Sequence, residues 1–465
     1  MLFPTVQFAI FFPIVLALSW WLMPRQPLWK PFILFASYVF YAYANWKFCL
    51  LLGGVTLGNQ TAAKLIHRAG DDERRRKWIV RAAVALDLGV LAVFKYYAFF
   101  VQDIGDALDA LHLGLPVPLL TIALPVGVSF FTFQAISYTV DVYRRVIPPA
   151  CTLDVAIYLS FFSHLVAGPI VRAREFLPQL ATPRDPQRVA VGAGVMLIGI
   201  GLVKKVVLAD YLARSLVDPV FGVPQAYFAP DVLLATYGYA AQIYCDFSGY
   251  TDIAIGLALL MGFVFPQNFD RPYRSLGFRE FWRRWHMTLS RFLRDFLYIP
   301  LGGNRGGRWR TYRNLMITMV LGGLWHGAAW TFVLWGAFHG LGLCAEHVLG
   351  SRWERLPVWL RWLVTFHLIC FGWILFRSQG LDVVGSFLSR LFDWGPATLW
   401  TVPVVLAIVV VIGTQLLPPR PLDGLRLRLE RASPAVLGTA LAVLILLVAA
   451  TVPSQGVPPF IYFRF

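Results

Sequence analysis

Apolar runs of bilayer-spanning length recur from one end of this sequence to the other. Of its 465 residues, 58% are hydrophobic and only 14% are charged. A soluble globular protein needs more polar surface than this to cover its exterior. About twenty consecutive apolar residues are enough to cross the hydrocarbon core of a bilayer. The sequence therefore predicts an all-α polytopic membrane protein.

The charge distribution supports membrane topology rather than nucleic-acid binding. The formal net charge is +16, but the basic residues lie in short loops between apolar runs, as the positive-inside rule predicts. The five cysteines are scattered and show neither a disulfide framework nor metal-ligand spacing. Residues 6–23 lack a basic leader and a cleavage site, which predicts a retained first helix. We expect no metal and no nucleic-acid partner.

The apolar runs predict a chain of membrane segments with one irregular member. Residues 155–171 contain His164 and the pair Gly168-Pro169, which predicts a re-entrant or broken helix. Residues 278–298 alternate aromatic residues and arginines, as an amphipathic helix does. Residues 99–113 look like another surface segment. The other predicted membrane segments are 31–45, 48–63, 78–94, 119–140, 189–203, 232–245, 250–265, 315–346, 359–376, 402–417 and 436–451.

Residues 321–340 carry the strongest functional signal, because His326 lies among glycines and tryptophans in an apolar run. An ionisable side chain at that depth faces a cavity or a partner, or else it is a packed, hydrogen-bonded core residue. A histidine suits proton abstraction from an attacking hydroxyl, and His286 is the candidate to assist it. On one long helix His339 would lie near the opposite face, so it is predicted to be structural or interfacial, as is His347.

Two groups of charged residues have both a structural and a functional interpretation. Asp246 and Asp252 lie in a predicted turn, where pairing at helix ends is favoured over proton transport. Residues 271–313 hold eleven arginines and two acidic residues, hence a net charge of +9, which topology alone explains. The same guanidinium groups suit phosphate binding. The candidates for acyl-CoA phosphates are Arg283, Arg284 and Arg305.

Several motifs together resemble one family. They are FWRRWHMTLS at 281–290, LGGNRG at 301–306, LGGLWHGA at 321–328, YCDFSGYTD at 244–252 and AGPIVR at 167–172. In combination they closely resemble the membrane-bound O-acyltransferase (MBOAT) family. The most similar branch contains the bacterial alginate O-acetylation proteins and their relatives in cellulose acetylation and teichoic-acid D-alanylation.

The resemblance implies a ring of helices around a central funnel, with His326 as the catalytic histidine and His286 at the second family position. It implies one integral-membrane domain, with N-terminal helices in 1–140, a catalytic core in 141–347 and C-terminal helices with an aromatic tail in 348–465. The implied donor is cytoplasmic acetyl-CoA, with no permanently bound cofactor. The implied location is the bacterial inner membrane, as a multi-pass protein among membrane lipids. The implied partners are a periplasmic acetyltransferase of the serine-hydrolase type and an exopolysaccharide synthase.

The C-terminal sequence FIYFRF at 460–465 has two interpretations. Aromatic residues often anchor a last span at the membrane interface. The sequence also resembles the tail of a small membrane peptide of D-alanylation systems, which makes Tyr462 a candidate acyl relay between His326 and a periplasmic partner. The polymer, the acyl group and the oligomeric state stay open. D-alanyl transfer, transport of an acyl donor without chemistry and a pure scaffold are the alternatives.

Overall fold

The computed structural model describes residues 1–110, 124–418, 420–451 and 460. Its described residues form α-helices with short 3₁₀ and π segments, in two compact units. The first unit comprises Met1–Ala190 and Leu257–Pro266, and the second comprises Val191–Gly256 and Gln267–Phe465.

Eight helices lie wholly within the described residues of the first unit. Aromatic side chains fill its core, and Phe162 lies with its ring centroid 5.8 Å from that of Phe40 and 5.6 Å from that of Phe11. Thr5 caps the first helix by accepting a hydrogen bond from the Phe8 amide. The helices are α1 (Val6–Leu22), α2 (Gln26–Ala42), α3 (Lys47–Arg68), α4 (Glu73–Ala110), α5 (Val128–Tyr143), α6 (Thr152–Ser160), α7 (Phe162–Leu165) and α8 (Ala173–Phe176), followed by 3₁₀ turns at Leu177–Leu180 and Pro186–Arg188.

The predicted break within residues 155–171 is present in the first unit. Helix α6 ends at Ser160, α7 ends at Leu165, and the chain then runs without helix to α8. His164 is fully buried there, and its Nε2 donates to the carbonyl oxygen of Tyr158 over 2.9 Å. The structure therefore gives His164 a core packing role.

The second unit contains the remaining long helices. Its first helix is interrupted by π-helical segments. The elements are α9 (Val191–Leu202), a π segment (Val203–Ala209), α10 (Asp210–Leu212), a π segment (Ala213–Val217), α11 (Asp218–Gly222), a 3₁₀ turn (Pro224–Ala226), α12 (Ala229–Leu260), a 3₁₀ turn (Pro272–Arg274), α13 (Phe278–Arg284), α14 (Met287–Leu293), a π segment (Arg294–Tyr298), α15 (Arg308–His326), α16 (Trp330–Leu349), α17 (Ser351–Glu354), α18 (Val358–Arg377), α19 (Leu381–Arg390), α20 (Val402–Leu416), α21 (Arg420–Glu430) and α22 (Pro434–Thr451).

Four described helices are long and apolar enough to cross a membrane, and shorter apolar helices accompany them. The four are Val191–Gly222, Ala229–Leu260, Trp330–Leu349 and Val358–Arg377. These elements agree with the predicted all-α polytopic membrane protein. They leave the assignment of one integral-membrane domain as a prediction.

Four predicted boundaries were wrong. The segments 78–94 and 99–113 are one helix, α4, as far as the described residues reach, and 111–113 lie outside them. The predicted turn at 244–252 lies inside the continuous helix α12. The amphipathic helix predicted for 278–298 is interrupted between α13 and α14, and the span predicted for 315–346 is two helices, α15 and α16.

The α15–α16 break creates a helical hairpin. Gly327 and Ala329 have extended backbone angles and end the helical hydrogen bonding. A Cβ on Gly327 would lie 2.0 Å from the Phe332 ring, so only glycine leaves room for that ring. The two helices then pack at glycines, since a Cβ on Gly323 would lie 2.2 Å from the Phe332 carbonyl oxygen.

Candidate active site

His286 lies at the break between α13 and α14, in the second unit. Its backbone adopts the left-handed conformation, with φ 42° and ψ 54°, which a residue other than glycine rarely occupies. The imidazole is fully buried. Strained backbone of this kind persists where the surrounding structure holds it, and it is frequent at active sites.

Asn268 holds both the His286 ring and the start of α14. Its carbonyl oxygen accepts from the Met287 amide over 2.9 Å, and its side-chain Oδ1 accepts from the Thr288 amide over 3.2 Å. The same Oδ1 lies 3.1 Å from Nδ1 of His286. Asn268 therefore caps α14 from outside the helix. The first amides of a helix have no acceptor within it and need one elsewhere.

These contacts define the tautomer of His286. A backbone amide only donates, so the Asn268 atom that faces Thr288 is the oxygen. Nδ1 of His286 must then carry the hydrogen, and Nε2 presents a lone pair. Nε2 is buried and has no hydrogen-bond partner among the residues that the structure describes. The ring is thus oriented, with Nε2 able to accept a hydrogen bond.

His326 ends α15 and is surrounded by aromatic rings. It is 2% exposed, and its ring centroid lies 5.0 Å from that of Trp335 and 5.2 Å from that of Phe376. The imidazole of His326 is thus enclosed by aromatic side chains.

Trp325 joins the two histidines into one site. Its ring centroid lies 6.1 Å from that of His286 and 5.0 Å from that of His326. The two imidazole centroids are therefore no further apart than the sum of these distances. The sequence analysis paired these histidines, and both contact Trp325; the pairing and the catalytic roles stay predictions.

His339 lies on α16, not on the helix of His326, because the predicted single span is a hairpin. It is fully buried, and its ring centroid is 4.6 Å from that of Trp335. Trp335 thus contacts both His326 and His339. The prediction of one continuous helix did not include this shared contact. His347 is exposed and lies beside Tyr312, as an interfacial residue would.

The candidate phosphate-binding arginines differ in their surroundings. Arg284 donates to the carboxylates of Glu280 and Asp270 over 2.9 and 2.7 Å. These bonds hold α13 to the segment that contains Asn268. Arg283 and Arg305 are exposed, so they are better placed than Arg284 to meet a ligand.

Phe460 is the one residue of 460–465 that the structure describes, and its side chain lies at the site. This residue is 1% exposed, and its ring centroid lies 4.9 Å from that of Tyr250 and 5.5 Å from that of Phe247. Phe247 in turn lies 4.7 Å from His286, ring centroid to ring centroid. Tyr462 lies outside the residues that the structure describes.

Asp246 and Asp252, inside α12, pair with two lysines of the π segment Val203–Ala209. Nζ of Lys205 lies 2.5 Å from Asp246 and 2.8 Å from Asp210, and Nζ of Lys204 lies 2.8 Å from Asp252. The predicted pairing is therefore present, but its location at helix ends was wrong. Buried charges of this kind persist when they are paired.

Sequence inspection missed three contributors to the site. Asn268 lies outside the motifs, and Phe247 lies in the motif at 244–252 without any local sign of a contact with a histidine. Only the fold brings them to His286. Trp335 was visible within residues 321–340, but the hairpin that places it against His326 was not predicted.

The fold and the site define an all-α membrane protein with two buried histidines that both contact Trp325. Comparison with known proteins identifies the family. The MBOAT, membrane-bound O-acyltransferase, family profile matches residues 33–381. This match covers more than half of the chain, which therefore belongs to the MBOAT family and is an O-acyltransferase.

Named relatives extend this result. The probable alginate O-acetylase AlgI of Pseudomonas aeruginosa is 44% identical over 366 residues, covering 78% of this chain and 69% of that protein. The corresponding protein of Azotobacter vinelandii is 37% identical over 481 residues, covering 93% and 94%. The peptidoglycan O-acetyltransferase of Helicobacter pylori is 35% identical over 394 residues, covering 77% and 73%.

Proposed function

We propose that this protein transfers an acetyl group from acetyl-CoA toward an exported polysaccharide of the alginate or cellulose type. The observation that carries the proposal is the contact of Trp325 with both His286 and His326. The names of the relatives, which are O-acetylases of cell-envelope polymers, support acetyl as the acyl group.

In the proposed reaction His326 is the general base. It removes the proton from an acceptor hydroxyl as the oxygen attacks the acetyl thioester. His286, held in one tautomer by Asn268 with a lone pair on Nε2, is proposed to assist His326. Because the hydroxyl has one hydrogen, which goes to His326, the donor to Nε2 of His286 is another group. Arg283 and Arg305 are the proposed contacts for the phosphates of the donor, because they are exposed and guanidinium groups bind phosphate bidentately.

The acetyl group then has to reach the other side of the membrane. We propose Tyr462 as the acceptor hydroxyl that carries it to a periplasmic serine-hydrolase-type acetyltransferase. Phe460, two residues earlier, supports this proposal because its ring reaches the Phe247–His286 contact. This scheme sets the protein in a bacterial inner membrane, beside an exopolysaccharide synthase.

The direct test measures polymer-bound acetate in strains that carry His326→Ala or His339→Phe. His339 is the matched control, since it is a buried histidine of the same hairpin that also contacts Trp335. With equal protein in the membrane, we expect His326→Ala to lower acetylation by at least about 100-fold and His339→Phe to preserve it. Normal acetylation in His326→Ala would refute the general base, and equal losses in both variants would indicate a folding effect instead.

The relay has a separate test. Intact-protein mass spectrometry after incubation with labelled acetyl-CoA should detect one acetyl group on the wild-type chain and none on Tyr462→Phe. Normal polysaccharide acetylation in a Tyr462→Phe strain would overturn the relay while leaving the role of His326 intact.

A further inference from the structure

Trp335 faces His326 across the α15–α16 hairpin. The two ring centroids are 5.0 Å apart, and the ring planes are nearly perpendicular at 88°. The close approach depends on Gly336, where an added Cβ would lie 2.4 Å from the Met319 carbonyl oxygen. The hairpin thus holds the indole of Trp335 directly beside the proposed base.

The indole N–H of Trp335 is a buried donor without an acceptor. Trp335 is 1% exposed, and its Nε1 has no hydrogen-bond partner among the residues that the structure describes. An indole can only donate, and buried donors are nearly always paired. Aromatic rings surround it, such as Trp282 at 5.7 Å, but an N–H contact with a ring is a weak substitute for an acceptor.

Acyl transfer supplies the missing acceptor. Attack on a thioester carbonyl turns its oxygen into an oxyanion, and enzymes stabilise this charge with fixed hydrogen-bond donors. We propose that the Trp335 indole N–H donates to the carbonyl oxygen of the acyl thioester and to the oxyanion that forms from it. Trp335 is then a catalytic residue, an assignment that rests on the proposed function of His326.

The step balances as follows. The acceptor oxygen forms a bond to the carbonyl carbon while His326 takes its proton, and the carbonyl electron pair moves to the oxygen held by Trp335. Collapse of the intermediate restores the carbonyl, breaks the carbon–sulfur bond and releases the thiolate. The imidazolium of His326 returns the proton to sulfur, so the products are an ester and a thiol.

The test removes the indole N–H and keeps an aromatic ring at position 335. One variant is Trp335→Phe. In the other, the non-canonical residue benzothienylalanine replaces Trp335, so that sulfur stands for the N–H group, and both are compared with Trp373→Phe. Trp373 is the matched control, because it is a buried tryptophan, 1% exposed, whose ring centroid lies 6.2 Å from that of Trp335. Release of CoA thiol from acetyl-CoA is measured with the purified full-length chain in nanodiscs, with a soluble phenol in excess as the acceptor so that the enzyme turns over repeatedly.

We expect both Trp335 replacements to lower kcat by about 100-fold with little change in KM for acetyl-CoA, and Trp373→Phe to keep kcat close to wild type. Wild-type kcat in the benzothienylalanine protein would overturn the assignment, even if Trp335→Phe misfolds. A wild-type kcat in His326→Ala would contradict the proposed function. If kcat is lost in His326→Ala but is that of the wild type in the benzothienylalanine protein, only the role assigned to Trp335 is contradicted.

Discussion

Asn268 orients His286 through one oxygen that it shares with the start of α14. Oδ1 of Asn268 lies 3.1 Å from Nδ1 of His286 and 3.2 Å from the Thr288 amide nitrogen. Because the amide nitrogen can only donate, the tautomer of the histidine is tied to the cap of the helix that follows it. Backbone structure and site chemistry therefore depend on the same side chain.

Substitution of Asn268 should impair catalysis more than the loss of a single hydrogen bond would. Asn268→Ala removes the contact that keeps hydrogen on Nδ1 of His286, so we expect kcat to fall by at least about tenfold. The buried Thr288 amide also loses its acceptor, which should lower the free energy of unfolding by about 1–3 kcal/mol. Rates of acetyl transfer and thermal unfolding in detergent measure the two effects.

Thr288→Ala is the matched control for Asn268→Ala. Its hydroxyl also donates to Oδ1 of Asn268, over 2.9 Å. This hydrogen bond does not involve the imidazole of His286. We expect a loss of stability of about 1 kcal/mol with kcat close to wild type. Equal kcat values for the two variants would contradict the tautomer argument.

The fold class and the burial of His326 could be predicted from the sequence, whereas the continuity of helices could not. Residues 244–252 contain aspartates, serine and glycine, a composition typical of a turn. They remain helical because Lys204 and Lys205 neutralise Asp252 and Asp246. Those partners are distant in sequence, so no local window contains the information.

At the hairpin the prediction was wrong in the opposite sense, because one helix was predicted where the structure has two. Residues 327–329 carry no proline and no polar residue, so the apolar pattern predicted one helix through them. The chain turns there because Gly327 admits the ring of Phe332 and Gly323 admits its carbonyl oxygen. Packing between the two helices, rather than local propensity, sets this break and brings Trp335 to His326.

The hairpin contact predicts a sharp difference between two glycines. Gly336→Ala would place a Cβ 2.4 Å from the Met319 carbonyl oxygen, so the helices must separate. We expect a loss of stability of about 1–3 kcal/mol and reduced acetyl transfer, since Trp335 moves away from His326. Gly413, inside α20, has nothing within 4 Å of such a Cβ, and Gly413→Ala should be neutral or stabilising by up to about 1 kcal/mol. Thermal unfolding of both variants measures this difference in stability, and equal stabilities would contradict the predicted clash.

The buried charges of the second unit predict a large stability effect. Lys205→Met leaves Asp210 and Asp246 without the ammonium that both contact. Removal of one partner from a buried ion pair costs about 3–5 kcal/mol. We expect a matching loss in thermal unfolding, and partial recovery when Asp210→Asn and Asp246→Asn are added.

An exposed pair provides the control for Lys205. Arg426 contacts Glu430 over 2.9 Å, with side chains 54% and 33% exposed. Exposed ion pairs contribute about 0–1 kcal/mol, so Arg426→Ala should unfold close to the wild-type temperature. A Lys205→Met protein as stable as Arg426→Ala would show that the buried cluster does not support the fold.

Phe460 predicts how the tail serves the relay. Its buried ring packs against Tyr250 and Phe247, and Phe247 contacts His286. Truncation of a buried phenylalanine costs about 3–5 kcal/mol of packing, so Phe460→Ala should release the tail without altering the two histidines. We expect labelled acetyl on Tyr462 to fall nearly as far as it does in His326→Ala, while Phe460→Leu, which retains apolar volume, keeps a larger acetylated fraction. Mass spectrometry of the C-terminal peptide measures both. Full acetylation of Tyr462 in Phe460→Ala would show that the tail reaches the site without this anchor.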